Sequence, residues 1–436
     1  MRESAAISTV YAVLTVGAAF VVVIRAREIE RVAAAAGYVV SAEVLWRMTG
    51  GRDTASTPWE GGKYALVALL LVAMLRFFPG WRRAIIPGLY LAMFVPGVIL
   101  AFSYYGQSWR EPLSFNLAGP VSIAVCVFFF SQMRPNLAGF RQALWAVVPP
   151  IVATATVVLT GTISSGTITF TRESSLATSG GYAPNQVSAV LGFGVLACLL
   201  LAVTERDRRL RFVQIGLALW FLGQALLTFG RGGVLNVIVA AILAAVVMGR
   251  RLRRSARRAL VLVAVVSLAA GAAIFLVVNS YSGGKLVPRY DEVSLAKRDS
   301  IAANDLELFR DNLLTGVGVG VSQAERPANI AGEPPHTEFS RLLAEQGLFG
   351  VVAIVALGAI AVGTYLRARR GLPRVFVAAL LGWSFTEMMH SATRIALISY
   401  AVGLAVAAAG LVVDDHDAPL IGSRARTWDV LTSSAP

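Results

Sequence analysis

The sequence predicts an all-α polytopic membrane protein with about twelve spanning helices and one long, polar, helical segment between spans 9 and 10. Three observations predict it. Hydrophobic residues make up 56% of the 436 positions and charged residues only 15%, with a mean hydropathy of +0.67, which excludes an ordinary soluble domain. Apolar runs of roughly 17 to 21 residues recur along nearly the whole chain, the length a helix needs to cross about 30 Å of hydrocarbon. A single polar stretch, 280–346, interrupts them, and it has helical rather than low-complexity composition.

In chain order the expected spans are 8–24, 64–78, 84–102, 115–133, 142–163, 187–203, 212–229, 233–248, 259–279, 347–366, 375–389 and 395–412. Runs of this length are helices, since barrel strands are half as long. The first run lacks a clear small-residue cleavage site and reads as a retained span. Cys126 and Cys198 both fall inside spans, which argues against a disulfide framework or a thiolate metal site. The resulting layout is 1–279 for spans 1–9, 280–346 for the polar segment, 347–413 for spans 10–12 and 414–436 for a tail.

The formal charge of +14 would suggest nucleic acid in a soluble protein. Here the arginines concentrate in the short loops 204–211, 249–258 and 367–374, which is the positive-inside pattern of a cytoplasmic face. Both chain ends then lie inside. The stretch 32–47 is apolar but carries Glu43 and is flanked by Arg25, Arg27, Arg31, Arg47 and Arg52; it is expected to be interfacial or re-entrant, the alternative being a thirteenth span with the N-terminus outside. Three segments must face the other side: 164–186, the Gly230-Arg231-Gly232 turn and 280–346. Within the last, 293–312 sets Ile301, Leu308 and Phe309 against Arg298, Asp305 and Arg310, as in a helix lying on the membrane.

Candidate chemistry gathers in those external segments. His336 follows Pro334-Pro335 and precedes Thr337-Glu338-Phe339, a short amphipathic helix feeding span 10. If the prolines start that helix, His336 sits in its first turn, where the macrodipole favours the neutral ring and hence a general base. An ordinary exposed or capping histidine fits the same residues. Glu338 is a poor orienting partner for it, because i,i+2 residues point to different faces. Arg231, between glycines at an external hairpin, is suited to bidentate phosphate contact, although an arginine there can also simply snorkel to headgroups. Arg298, Arg172, Arg289, Lys285 and Lys297 are further external cations. Gly180-Gly181-Tyr182-Ala183-Pro184-Asn185-Gln186 and Leu314-Thr315-Gly316-Val317-Gly318-Val319-Gly320 read first as tight turns and only weakly as phosphate cradles, with no Walker lysine after the second. No zinc spacing, Ser-His-Asp arrangement or nucleotide fingerprint is present; Asp415-His416-Asp417 lies in the tail.

The order of Gly230-Arg231-Gly232-Gly233, Arg298, Leu313-Leu314-Thr315-Gly316-Val317-Gly318 and His336-Thr337-Glu338-Phe339, running into Leu343-Ala344-Glu345-Gln346-Gly347-Leu348-Phe349-Gly350, resembles the O-antigen ligase and O-antigen polymerase superfamily of bacterial envelope glycosyltransferases. The likeness is strongest over 182–350; the first half matches as a hydrophobic profile. It implies a GT-C-like fold in the bacterial inner membrane, with the site facing the periplasm. It further implies an undecaprenyl-pyrophosphate-linked glycan donor, inversion at the anomeric carbon, and no metal or other cofactor. O-antigen ligase is the closest likeness, for which the acceptor is lipid A-core. The partners implied are donor, acceptor and lipid bilayer, with no nucleic acid. His336 matches the family's loop histidine, Arg231 the arginine of the Arg-Gly-Gly turn and Arg298 the arginine before the Gly-x-Gly stretch; these are the expected catalytic residues. Arg172, Asn185, Arg289 and Glu338 are the expected substrate-binding ones. Gly230 departs from the pattern, since a Ser often precedes that arginine.

An O-antigen polymerase or protein O-oligosaccharyltransferase would use the same donor and similar residues. From another class, a lipid-linked glycan flippase would also have about twelve spans, but it would need charged residues inside the bundle. The expected spans are almost free of Asp, Glu, Lys and Arg, which favours chemistry at the surface.

Overall fold

The computed structural model describes residues 5–50, 61–77, 80–166, 168–171, 173–249, 269–291, 296–333 and 335–413. They form helices α1 (Ala5–Arg25), α2 (Ile29–Thr49), α3 (Gly61–Met74), α4 (Ile85–Ala92), α5 (Val95–Tyr105), α6 (Arg110–Phe130), α7 (Leu137–Ser164), α8 (Pro184–Thr204), α9 (Arg208–Leu227) and α10 (Arg231–Gly249). Next come α11 (Ala269–Tyr281), α12 (Leu286–Asp291), α13 (Ala296–Asp311), α14 (Val321–Ala324), α15 (Glu338–Arg367), α16 (Leu372–Ser391) and α17 (Ala396–Ala409). Among the described residues there is no strand, only a bridge between Asn136 and Val412. Eight helical stretches are long and apolar enough to cross a membrane, and α3, α11 and α17 are shorter apolar helices. The protein is an all-α polytopic membrane protein, and each of the twelve expected spans falls on a helix. Part of the ninth, 259–268, lies outside the described residues.

The interior is built on α17, whose residues are buried almost throughout, packed against α2, α6 and α16. Its Tyr400 hydroxyl donates to Ala33 C=O on α2 at 2.9 Å, and Ser399 pairs with Ser122 on α6 at 2.6 Å. Helix α8 is similarly enclosed, between α7, α9 and α10. Cys126 and Cys198 are both buried and free.

Helix α2 corrects the expectation of an interfacial segment at 32–47. Fourteen of its residues are buried, and it packs along α7, α17, α1 and α3 as an internal member of the bundle. Its charges are accommodated because partners on other helices meet them, as described below.

Turns fall into two groups by their contacts. At one end Arg76 donates to Ile24 C=O at 2.6 Å, Arg83 to Ser131 C=O, Arg141 to Thr204 C=O at 2.6 Å, and Val412 N–H to Pro135 C=O at 2.9 Å. This is the arginine-rich end. The opposite end gathers the C-terminus of α2, the N-terminus of α8, the α9–α10 and α16–α17 turns, and the stretch before α15.

Helix α15 is two helices joined at Gly347, where φ is 57° and ψ −132°. The short first half, Glu338 to Gln346, is the helix expected ahead of span 10, and it meets the long apolar half at an angle that the sequence did not disclose. The glycine-rich stretch before α14 fills that corner: Val317 N–H bonds Ala344 C=O and Gly318 N–H bonds Glu345 C=O at 3.0 Å each, while Leu348 N–H bonds Leu313 C=O at 2.8 Å. These bonds satisfy the groups that the break would orphan. Residues 314–320 thus serve as turns. A Cβ at position 347 would meet Leu313 O at 2.5 Å as well as strain the backbone. Gly347→Ala is expected to cost about 1–3 kcal/mol, measured as a lower thermal midpoint in detergent; Gly358→Ala, in the straight long half with nothing within 4 Å, should be neutral or slightly stabilising.

Candidate functional site

Thr337 caps α15, its Oγ1 accepting from Phe339 N–H at 3.2 Å. The prolines therefore do not start the helix. A threonine in an extended conformation is the better cap, and it leaves half-buried His336 one residue ahead of it, still beside the positive end of the helix. Glu338 is fully buried: it pairs with Arg341 at 2.5 Å and accepts from Thr393 Oγ1 at 3.2 Å. Arg341 also donates to the backbone and side-chain oxygens of Asn116, at 3.2 and 3.1 Å. Glu338 thus anchors the first turn of α15 between α6 and the α16–α17 turn.

Beside it lies α13. The helix expected at 293–312 is present as Ala296–Asp311, but Asp305, expected on the polar face, is buried. Ser340 Oγ donates to Asp305 Oδ2 at 2.6 Å and Arg326 Nη2 to Oδ1 at 3.4 Å; Arg326 also bonds Glu333 C=O. Burial pushes the Asp305 carboxyl pKa up, and the Ser340 hydroxyl and Arg326 charge partly oppose it. Arg298 is on α13 seven residues before Asp305, about 10 Å along the axis. The long polar segment is therefore folded onto the bundle at the His336 end.

Arg231 opens α10 after a tight turn. Its Nη1 donates to Arg289 C=O at 3.4 Å, and Arg289 Nε donates to Phe229 C=O at 3.2 Å, so the structure brings these two candidates together. The surrounding glycines serve helix packing. A Cβ at Gly230 would meet Pro184 O and Ser188 Cβ at 2.8 Å, and Gly233 lies directly on the Ser188 backbone. They let α10 approach α8, as small residues do in membrane bundles. There is no room for a side chain at Gly230, yet a hydroxyl is present: Ser188 Oγ donates to Gly230 C=O at 2.7 Å.

Arg47 on α2 links the two halves. Its Nη2 pairs with Glu43 Oε1 at 2.6 Å, and its Nη1 donates to Gln186 Oε1 at 3.1 Å and Arg394 C=O at 3.3 Å. Arg394 in turn donates to Pro335 C=O at 2.5 Å, next to His336. Two residues beyond Gln186, Ser188 holds the Gly230 carbonyl. The path Pro335–Arg394–Arg47–Gln186–Ser188–Gly230 thus connects the His336 stretch to the Arg231 turn through hydrogen bonds and a two-residue step along the backbone of α8. Asn185 lies at the start of the same helix, and its buried Oδ1 has no hydrogen-bond partner among the described residues. Arg172 lies outside the described residues.

Sequence reasoning missed several of these groups: Glu43, Arg47, Gln186 and Arg394, together with Glu387 and His390 on α16. Glu387 Oε2 accepts from Asn236 Nδ2 of α10, and a Cβ at Gly232 would stand 3.6 Å from His390 Cβ and 3.7 Å from Glu387 Oε2. Of the expected spans, 64–78 carries Arg76 and 375–389 carries Glu387, while Glu43, Arg47 and Lys63 lie on helices outside the expected bounds. Glu43, Arg47, Lys63 and Glu387 are buried within helices, but all at the end that carries His336 and Arg231. The one available signal was the run Glu387…His390…Thr393-Arg394 at a very short interhelical loop. Among the described residues no three His, Cys, Asp or Glu side chains cluster as metal ligands would.

The arrangement sets an imidazole near one end of a chain of cations and hydrogen-bonded polar groups that leads to a pair of arginines. It suits proton removal from a hydroxyl beside an anionic group. Its integrity depends on Arg47, since side chains of this pair are only 5% and 1% exposed. Arg47→Ala leaves Glu43 buried without its cation and is expected to cost about 3–5 kcal/mol, whereas Glu43→Leu with Arg47→Met should recover most of it. Thermal midpoints of the purified variants check both.

Residues 216–355 match the family model described as O-Antigen ligase, a segment from α9 to the middle of α15 that contains Arg231, Arg289, Arg298, His336 and Glu338. No curated protein matches the chain. Glu43, Arg47, Gln186 and Arg394 lie outside the matched segment, on the helices that hold it in place. The match over this segment, which holds the paired-arginine turn and the His336 stretch, supports the O-antigen ligase and O-antigen polymerase superfamily.

Proposed function

We propose that the protein is an O-antigen ligase: a metal-independent, inverting glycosyltransferase that moves O-antigen polysaccharide from undecaprenyl pyrophosphate to a hydroxyl of lipid A-core. The observation that carries this reading is the hydrogen-bonded path that ties the His336 stretch to the Arg231–Arg289 corner, at the end of the bundle opposite the arginine-rich loops. By the positive-inside bias the arginine-rich end is cytoplasmic, and the site faces the periplasm of the inner membrane.

In the reaction His336 takes the proton of the acceptor hydroxyl as its oxygen attacks the anomeric carbon from the face opposite the leaving group. The bond from that carbon to the pyrophosphate oxygen breaks, and its electron pair stays on the departing oxygen. Arg231 and Arg298 stabilise the charge that develops there, as guanidinium groups do for phosphoryl oxygens. Arg289, Arg172 and Asn185 contact the donor. Glu338, bound to Arg341 and Thr393, acts by fixing the cap residue behind His336.

Deletion of the gene should leave lipopolysaccharide with core only while long glycans remain on the lipid carrier. A single repeat on the core would instead identify a polymerase. Protein carrying His336→Ala should reproduce the deletion, with transfer reduced about 10²–10⁴-fold, and Arg231→Ala should lower it about 10²–10³-fold. Normal attachment of O-antigen by His336→Ala at wild-type abundance would refute the assignment of the base.

A further inference from the structure

The corner between the α9–α10 turn and α12 holds a polar group that the scheme above does not use. Tyr290 Oη is enclosed and has no hydrogen-bond partner among the described residues. An enclosed phenol without an acceptor is costly and calls for an explanation, of which a bound acceptor is one. Burial pushes its pKa up to about 12, opposed by the positive charges of Arg289 and Arg231. At neutral pH the group is therefore a protonated donor standing in a positive field, which is the complement of an anionic oxygen.

Hydrogen bonds and ring contacts hold its surroundings. The residue before it, Arg289, is fixed twice: its carbonyl accepts from Arg231 and its Nε donates to Phe229 C=O. Phe229 is held at φ 56°, in the left-handed region that costs a phenylalanine about 1–2 kcal/mol. Its fully buried ring, stacked on Phe170 at 5.3 Å, retains it there. Phe170 meets Tyr281 edge-on at 5.7 Å, and the Tyr290 ring meets Phe275 edge-on at 5.8 Å. The strained turn aims its carbonyl at Arg289, the residue next to the phenol.

We propose that Tyr290 is a further donor-binding residue, whose hydroxyl gives a hydrogen bond to a phosphoryl oxygen of the lipid pyrophosphate lying against Arg231 and Arg289. This rests on the reading of the site as one for a pyrophosphate-linked donor. A neutral donor adds what two cations cannot: it binds the oxygen with direction while leaving the net charge of the pocket unchanged. As the glycosyl bond breaks, negative charge grows on the leaving oxygens and the bond strengthens, so the residue acts on turnover as well as on binding.

The test uses the full chain in vesicles, as wild type, Tyr290→Phe and Arg231→Ala, with undecaprenyl-pyrophosphate-linked glycan as donor and inorganic pyrophosphate as competitor. Tyr290→Phe should lower kcat/KM for the donor about 10- to 100-fold and weaken inhibition by pyrophosphate to a similar degree. Its thermal midpoint should be unchanged or raised, because an unsatisfied buried hydroxyl is gone, so that the lost transfer and lost pyrophosphate inhibition do not come from a weakened fold. Wild-type kcat/KM and pyrophosphate inhibition in Tyr290→Phe, with Arg231→Ala defective, would overturn this inference and leave the functional reading standing. A wild-type protein that neither transfers glycan nor responds to pyrophosphate would overturn both. If the defect appears only in vesicles containing phosphatidylglycerol, the hydroxyl serves a lipid headgroup and the inference fails.

Discussion

The rest of the site depends on one desolvated ion pair, Glu43 with Arg47, set one helical turn apart on α2 and almost entirely removed from solvent. Such a pair gains little net stability, because taking both charges out of water costs about as much as their attraction returns. Its value here is in what the remaining valences hold. Glu43 Oε2 accepts from Ala396 N–H at 2.7 Å, the first residue of α17, while Arg47 reaches α8 through Gln186 and the α16–α17 turn through the Arg394 carbonyl. A helix near the N-terminus thereby fixes three elements that come from distant parts of the chain. Apolar packing could press the same helices together, but it would not fix their rotation or height.

The division between what the sequence disclosed and what it concealed follows from the range of the interactions. Spans were legible because twenty apolar residues in a row state their own environment. His336 was legible because a proline pair and a capping threonine are neighbours in sequence, although their proximity also led to a helix start placed too early. Helix α2 was not legible: Glu43 and Arg47 look prohibitive in a buried helix when their partners are unknown. Gln186 and Arg394 are 139 and 347 positions away from Arg47, beyond any local pattern. The same holds for Asp305, which amphipathic spacing put on the polar face of α13 because Arg326 and Ser340 could not be seen to await it.

The glycines show that one composition serves unlike purposes. Around Arg231 they are missing side chains, and the space is taken by the backbone of α8, so the arginine is placed by helix packing rather than by a flexible loop. At Gly347 the residue supplies a conformation. Between these, the buried carboxylates and guanidiniums of α15, α2 and α16 give the helices fixed azimuths around a common end. The matched family segment holds the groups nearest the proposed chemistry, and the frame that orients them comes from helices on both sides of it.

The break in α15 has a mechanical meaning. A straight helix running from His336 through the hydrocarbon would act as a lever, turning each change in lipid length into a displacement at its outer end. Here the helix breaks at Gly347, and the short half is bolted, by Glu338, Arg341 and Ser340, to α6, α13 and the α16–α17 turn. The height of the imidazole is thereby set by the packing of the bundle and not by the length of helix that runs through the lipid.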